Sequence, residues 1–327
     1  MPISGETLYA ALALLTSSAI TLTVTRLLIP LLKKRGLVVR DYHKREEVYV
    51  PRPGGPAIMA GLLGGSLILL ATFDGRILAF LLSSVVAGLI GLVDDFIKLG
   101  GRTKPLLLLL SGVPLLALGA YSPHPHFPFF GRVRLSIVYP LLVPIAMTVT
   151  SNAFNALDVL NGVVSLFSAI VTLPLLAFFL LRGDLEATLA ALLLLSCSLA
   201  FYAYHRYPSR IFPGDSGALA LGAAYGALAI IGQAEIVGIV ALLPAIFNTF
   251  FYLFSVRGFL EHSKVKERPV EVKEGLLYSS KDAKAPLTLL RLILVEGPMS
   301  EREGARTILL IAAYTSLLAL FTGLVTP

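Results

Sequence analysis

Asparagine occurs only four times in the 327 residues, and three of the four, Asn152, Asn155 and Asn161, lie in the stretch SNAFNALDVLNG together with Asp158. At helical spacing Asn152, Asn155, Asp158 and Asn161 form an i, i+3 row. Such a row of amide and carboxylate oxygens at a membrane boundary suits a hydrated cation or a polar ligand. Polar contacts between helices, with Gly162 ending the helix, would account for the same residues without chemistry. A second group is GLIGLVDDFIKLGGRTK, where Asp94 and Asp95 precede Lys98, Arg102 and Lys104. Adjacent helical positions point about 100° apart, so one carboxylate is expected to face a site and the other a neighbour; solvated acids at a helix end are the plainer account. Third comes FPGDSGALALG, in which Gly214 and Gly217 flank Asp215 and allow close backbone approach, while Phe212 offers a ring for stacking on a flat partner. Asp215 or Ser216 could instead be a helix N-cap. The fourth is GLVVRDYHKREEVYVPRPGGPAI, a cation-rich loop holding Asp41 and Arg52 and closing on Gly54 and Gly55; a solvated, lipid-facing charge run explains Lys33 to Arg35 better than any site does.

The elements that must position these groups are apolar. The chain is 56% hydrophobic, 14% charged and has a mean hydropathy of +0.82, which excludes a soluble enzyme and makes the protein an all-α polytopic membrane protein. Ten spans are predicted, near Leu8 to Leu32, Gly55 to Phe73, Ile77 to Ile97, Pro105 to Tyr121, Leu135 to Ser151, Val163 to Leu181, Leu185 to Tyr204, Ser216 to Ile231, Ile236 to Val256 and Thr307 to Val325. The first is read as a span and not as a cleaved leader. Loops after the odd-numbered spans hold 22 lysines and arginines against four in the others, so those loops are expected to be cytoplasmic and both termini extracytoplasmic. All four groups then fall on the cytoplasmic side. Residues 1–327 read as a single integral membrane domain, with 257–306 a cytoplasmic loop or cap whose run from Pro286 to Val295 is expected to lie along the membrane surface.

Acids, cations and amides converging on one face fit Mg²⁺ and phosphate better than either alone. The net charge of +7 favours anionic lipid or an anionic substrate there, and no soluble domain is present to carry nucleic acid. One cysteine, Cys197, excludes an internal disulfide. There is no G-x-x-x-x-G-K-[ST] and no H-E-x-x-H, and the five histidines show no metal-ligand spacing.

The ordered set PRPGG, GLVDD with Lys104 ten residues after Asp94, NAFNALDVLNG and FPGDSG resembles the polyprenyl-phosphate N-acetylhexosamine-1-phosphate transferase family along nearly the whole chain. The tail APLTLLRLILVEGPMSER resembles its eukaryotic and archaeal dolichyl-phosphate N-acetylglucosaminephosphotransferase branch, and the His-rich motif of the bacterial peptidoglycan branch is missing. The resemblance implies ten transmembrane helices, a cytoplasmic-face site in the cell membrane, Mg²⁺ (with Mn²⁺ as a substitute) and transfer of a HexNAc-1-phosphate from a UDP-sugar to a polyprenyl phosphate. UMP is released, and the reaction opens lipid-linked oligosaccharide synthesis for N-glycosylation. By motif position it implies Asp215 and Asn155 as metal contacts, Lys104 as the diphosphate contact, and Asp94 and Asp95 as the pair handling the lipid phosphate. Phe212 would stack on uracil and Asn161 contact uridine; Asp158, Asn152, Asp41, Arg52 and Gly214 complete the substrate site, with Arg268 and His262 assigned to sugar recognition. The exposed apolar spans leave room for a homodimer.

Two other readings are an ion-coupled secondary transporter and a transferase of the same family that uses undecaprenyl phosphate. A carrier places its polar residues near the bilayer midplane, whereas here they gather at one interface.

Overall fold

The computed structural model describes residues 5–73, 75–256 and 267–326. Among the described residues, eight helices are long and apolar enough to cross a membrane: α1 (Gly5–Lys34), α3 (Gly75–Phe96), α6 (Tyr139–Leu157), α7 (Val163–Arg182), α8 (Leu185–His205), α9 (Gly214–Ile231), α10 (Glu235–Ser255) and α12 (Glu301–Leu324). The chain is an integral membrane protein. Its outward faces carry apolar side chains that water would not tolerate, among them Leu15 at 68% and Phe254 at 75% exposure.

The other two expected spans are shorter than predicted. The second is α2 (Gly55–Leu69), opened by Pro56 in its first turn and ended by a turn over 70–72. The fourth is broken into α4 (Thr103–Leu108), a 3-10 turn over Leu109–Gly112 and α5 (Val113–Ala117). Pro114 removes a backbone donor at this joint. Gly112 lies so close to α6 that a Cβ there would stand 2.7 Å from the Cα of Pro144.

At the centre stands α9, whose eighteen residues are all buried. Its sequence, GDSGALALGAAYGALAII, is rich in small residues, which let neighbouring backbones approach where lipid supplies no hydrophobic drive. A Cβ on Gly222 would meet the Cα of Ser151 on α6 at 2.7 Å, and one on Gly91 of α3 would meet the carbonyl oxygen of Asp215 at 2.5 Å. Both contacts run antiparallel, because Gly226 lies on Thr150 and Gly88 on Ala220.

Among the described residues three antiparallel ribbons lie between the helices: β1 (Val38–Arg40) with β2 (Tyr49–Pro51), β3 (His126–Phe127) with β4 (Gly131–Arg132), and β5 (Val270–Lys273) with β6 (Leu276–Ser279). The run from Pro286 to Val295 is not one surface helix. Only Leu289–Ile293 forms a helix (α11), and Leu290 is buried, packed with Leu277 and Leu160 around Gly304 at the start of α12.

Candidate functional site

Four separate pieces of chain bring charge to one end of the bundle. Asp94 and Asp95 end α3, Lys104 opens α4, Asp215 lies in the first turn of α9, and Arg52 sits between β2 and α2. The two acids of α3 have different partners, as their angular separation requires. Asp95 accepts the backbone N–H of Asp215 at 2.9 Å and of Ser216 at 3.0 Å, and also binds Arg52 Nη2 at 2.9 Å. It thereby caps α9 from another helix, because the residue at the N-cap position is Pro213 and offers no side-chain acceptor. Asp94 accepts the Leu99 N–H at 2.6 Å and the Lys104 ammonium at 3.0 Å.

Asp215 is held between both cations, Lys104 on Oδ1 and Arg52 on Oδ2. Burial alone would weaken the hold of Arg52 on its proton, but the Asp215, Asp95 and Asp158 carboxylates outweigh it and raise its pKa. Asp94, Asp95 and Asp215 thus bind two cations, Arg52 and Lys104, in a largely buried setting, with Asp158 nearby. Glycine is required at the joint between the segments. Gly214 has φ +71°, and a Cβ on it would lie 2.7 Å from the Asp95 carboxylate; a Cβ on Gly55 would run into the backbone nitrogen of Gly217.

The expected helical row of polar residues is broken. α6 ends at Leu157, and Asp158, at φ −76° and ψ 64°, turns the chain out of the helix. Asn152 spends its amide on the carbonyl of Thr148 in its own helix at 2.9 Å. The antiparallel contact of α6 with α9 brings the Asn155 turn alongside the first turns of α9, but no side-chain hydrogen bond ties Asn155 to the carboxylates among the described residues. Burial pushes the Asp158 carboxyl up to about 7, against the pull of Arg52. His205 Nε2 lies 3.8 Å from it and its Nδ1 pairs with Ser165 at 2.9 Å. Phe212 is half-buried, edge-on to His205 at 6.3 Å between centroids, and its N–H is bonded to the Pro51 carbonyl at 2.9 Å.

Asn161 turns the other way, into a second cluster. It donates its amide to Asp41 at 3.0 Å, and its backbone N–H donates to Glu301 at 3.1 Å. Asp41, His43 and Glu301 each bring a ligand atom within 4.8 Å of the others, but the Lys44 ammonium lies between Glu301 and Asp41 and already balances them. Lys44 and Arg302 also both lie over the Tyr207 ring, at 3.8 and 4.5 Å. Arg268 lies over Tyr42 at 4.0 Å, beside this cluster; His262 falls outside the described residues. Lys44, Glu301, His205 and Tyr207 were missed by sequence reasoning. One signal was available for Glu301: the S-x-x-E of Ser300 to Glu303 is a capping box, formed in the structure, and it starts α12 at the second cluster and not at Thr307.

The donors at the first cluster are all oxygens, carboxylates above all, which is the set that hard divalent cations such as Mg²⁺ take. Lys104 bridging Asp94 and Asp215 marks a place where positive charge is stable, so these residues fit such an ion.

Residues 77–233 match the model of glycosyl transferase family 4. A protein of Sulfolobus acidocaldarius, provisionally named UDP-N-acetylglucosamine–dolichyl-phosphate N-acetylglucosaminephosphotransferase, is 31% identical over 68% of this chain and 70% of its own length. Its counterpart in Saccharolobus solfataricus, under the same name, is 34% identical over the same shares. The phospho-N-acetylmuramoyl-pentapeptide-transferase of Acetivibrio thermocellus is 32% identical over 66% of this chain and 71% of its own length.

Proposed function

The chain belongs to glycosyl transferase family 4 and is a polyprenyl-phosphate sugar-phosphate transferase, and from that premise we propose that it transfers N-acetylglucosamine-1-phosphate from UDP-N-acetylglucosamine to dolichyl phosphate, releasing UMP. The observation that carries this reading is the convergence of Asp94, Asp95 and Asp215 with Arg52 and Lys104 from four segments at one end of the bundle. We place that end at the cytoplasmic face of the cell membrane, from the asymmetry of lysine and arginine between the loops. The two short helices complete ten membrane-crossing segments in one domain, with both termini outside.

The bond that forms joins a lipid-phosphate oxygen to the sugar-linked phosphorus; the bond that breaks is the phosphoanhydride, and UMP departs with its electron pair. A phosphate monoester is already an anionic nucleophile near neutral pH, so no strong base is required. Asp95, with both oxygens engaged on α9 and Arg52, fixes Asp215 in place. Asp94, linked to Lys104, is the member of the pair that meets the acceptor. Lys104 and Arg52 exchange their carboxylate partners for diphosphate oxygens and neutralise charge on the leaving group. Asp215, with Asn155, would hold Mg²⁺, which supplies charge neutralisation on the diphosphate. Phe212 stacks on uracil, and the Asp158 to Asn161 turn, with Asp41 behind Asn161, holds the uridine. Arg268, which lies over the Tyr42 ring, would contact the sugar.

The test is UMP release by the detergent-purified protein given UDP-N-acetylglucosamine, dolichyl phosphate and Mg²⁺. Release that stops when lipid or metal is left out is expected. No UMP from folded protein with any of several UDP-sugars and polyprenyl phosphates would overturn the reading.

A further inference from the structure

A groove of about 480 Å³ lies on the flank of the bundle, between α7 and α12. One wall is the stripe Leu166 and Ile170 of α7, and the other is Ala305, Leu309, Leu310 and Ala313 of α12. Both stripes follow helical spacing, so each is one continuous face. From Ala305 to Ala313 the apolar wall descends eight residues, about 12 Å at 1.5 Å per residue, most of one leaflet of a hydrocarbon core roughly 30 Å thick.

The head of the groove is cationic. Arg206, Arg302 and Arg306 line it beside Tyr202 and Tyr207, next to the Asn161–Gly162 turn. All three arginines are exposed, and among the described residues none has a carboxylate within 4.0 Å. The acids of the same turn are engaged elsewhere: Glu301 binds Lys44, and Glu303 is closed on Ser300 in the capping box. Paired tyrosines are usual at the membrane interface, and three guanidiniums without a carboxylate partner, Arg302 stacked on Tyr207 at 4.5 Å, above an apolar slot match an anionic head joined to a hydrocarbon tail.

We propose that this groove binds an anionic phospholipid of the surrounding membrane, head phosphate on Arg206, Arg302 and Arg306 and one tail along the α7 and α12 stripes, as a site separate from the acceptor's. The reacting carboxylates end α3 and open α9, whereas the apolar walls of the groove are α7 and α12; its head borders the donor site, since Asn161 and Gly162 of the turn given to uridine also line it, and the proposed lipid is a neighbour of that site and not the acceptor. This inference does not rest on the choice of sugar or acceptor made above.

The experiment is native mass spectrometry of the full-length protein with phosphatidylglycerol or phosphatidylcholine of equal chain length, paired with the Tm shift each lipid produces and with inorganic phosphate as the head without a tail. The expected result is retention and a raised Tm with phosphatidylglycerol only. Arg302→Gln with Arg306→Gln should weaken that preference by about fivefold per arginine. Ala313→Phe, which fills the lower groove and leaves the cations intact, should lower phosphatidylglycerol retention as well, so a folding defect in one variant does not decide the matter. UMP release at saturating substrate should stay unchanged in both. Equal retention of the two lipids, retention that neither variant lowers, or a Tm shift that inorganic phosphate reproduces would overturn the proposal. So would displacement of phosphatidylglycerol by polyprenyl phosphate with a raised acceptor KM in the variants, since the groove would then carry substrate. A dimer that forms without lipid and is broken by Ala313→Phe would assign the groove to a second copy instead.

Discussion

The two ends of the bundle use similar residues and reach opposite results. At the end away from the site, Arg76 meets Asp184 with both arms of its guanidinium, at 3.1 and 2.6 Å, and its second nitrogen also donates to the Ile231 carbonyl at 2.7 Å. Asp184 in turn caps α8 through the Ala187 N–H, and Glu186 accepts the Ile77 N–H at 3.2 Å. One cation there is closed by fixed partners from the start of α8 and the end of α9, so the cluster acts as a staple. At the site end, each oxygen of Asp215 faces a different cation, and each cation holds carboxylates that a phosphate could replace. Charges that satisfy one another in a planar fork hold helices together, whereas charges shared among several single contacts can be traded for a ligand's.

That contrast can be broken most sharply by exchanging one acid at each end. Asp215→Asn is expected to lower UMP release by roughly 10²- to 10³-fold with little change in Tm, while Asp184→Asn lowers Tm and leaves kcat/KM near wild type. Equal losses of turnover from the two would erase the distinction. Next in size is Gly55→Ala. Its methyl meets Gly217 backbone and not a movable side chain, so a loss of about 1–3 kcal/mol is expected, visible as a lower denaturation midpoint with activity falling in parallel. Phe212→Ala should raise KM for the UDP-sugar about tenfold, the value of a ring-stacking contact, with kcat less affected; a pure kcat effect would place the ring elsewhere. The smallest change is expected for Arg76→Gln, which should cost about 1 kcal/mol of stability and leave the Mg²⁺ dependence of UMP release unaltered.

Much of this was open to reading from residue types. Asp94, Asp95, Lys104 and Asp215 stood out because carboxylates and lysines are costly beside apolar runs, and the structure brings them within hydrogen-bonding reach. The division of labour between Asp94 and Asp95 followed from the helical angle between neighbours. The Asn152 to Asn161 row was misread, because i, i+3 spacing extends only as far as the helix does, and the chain leaves α6 at Asp158. Helix lengths failed where Pro114 and the crossing at Gly112 interrupt an apolar run that hydropathy alone treats as continuous. The pairing of Lys44 with Glu301 joins residues 257 positions apart, across loops with no periodic pattern, and no local signal could have predicted it.

The total burial of α9 has a consequence for how the protein is made. A helix with no lipid-facing side gives up every contact with lipid as the bundle closes around it, and its acid must pass from the translocation machinery into a place already prepared for it. Arg52, Asp94, Asp95 and Lys104 all precede Asp215 in the chain. Synthesis from the N-terminus therefore delivers the receiving cations and the capping carboxylate first, and the carboxylate they are to hold arrives last.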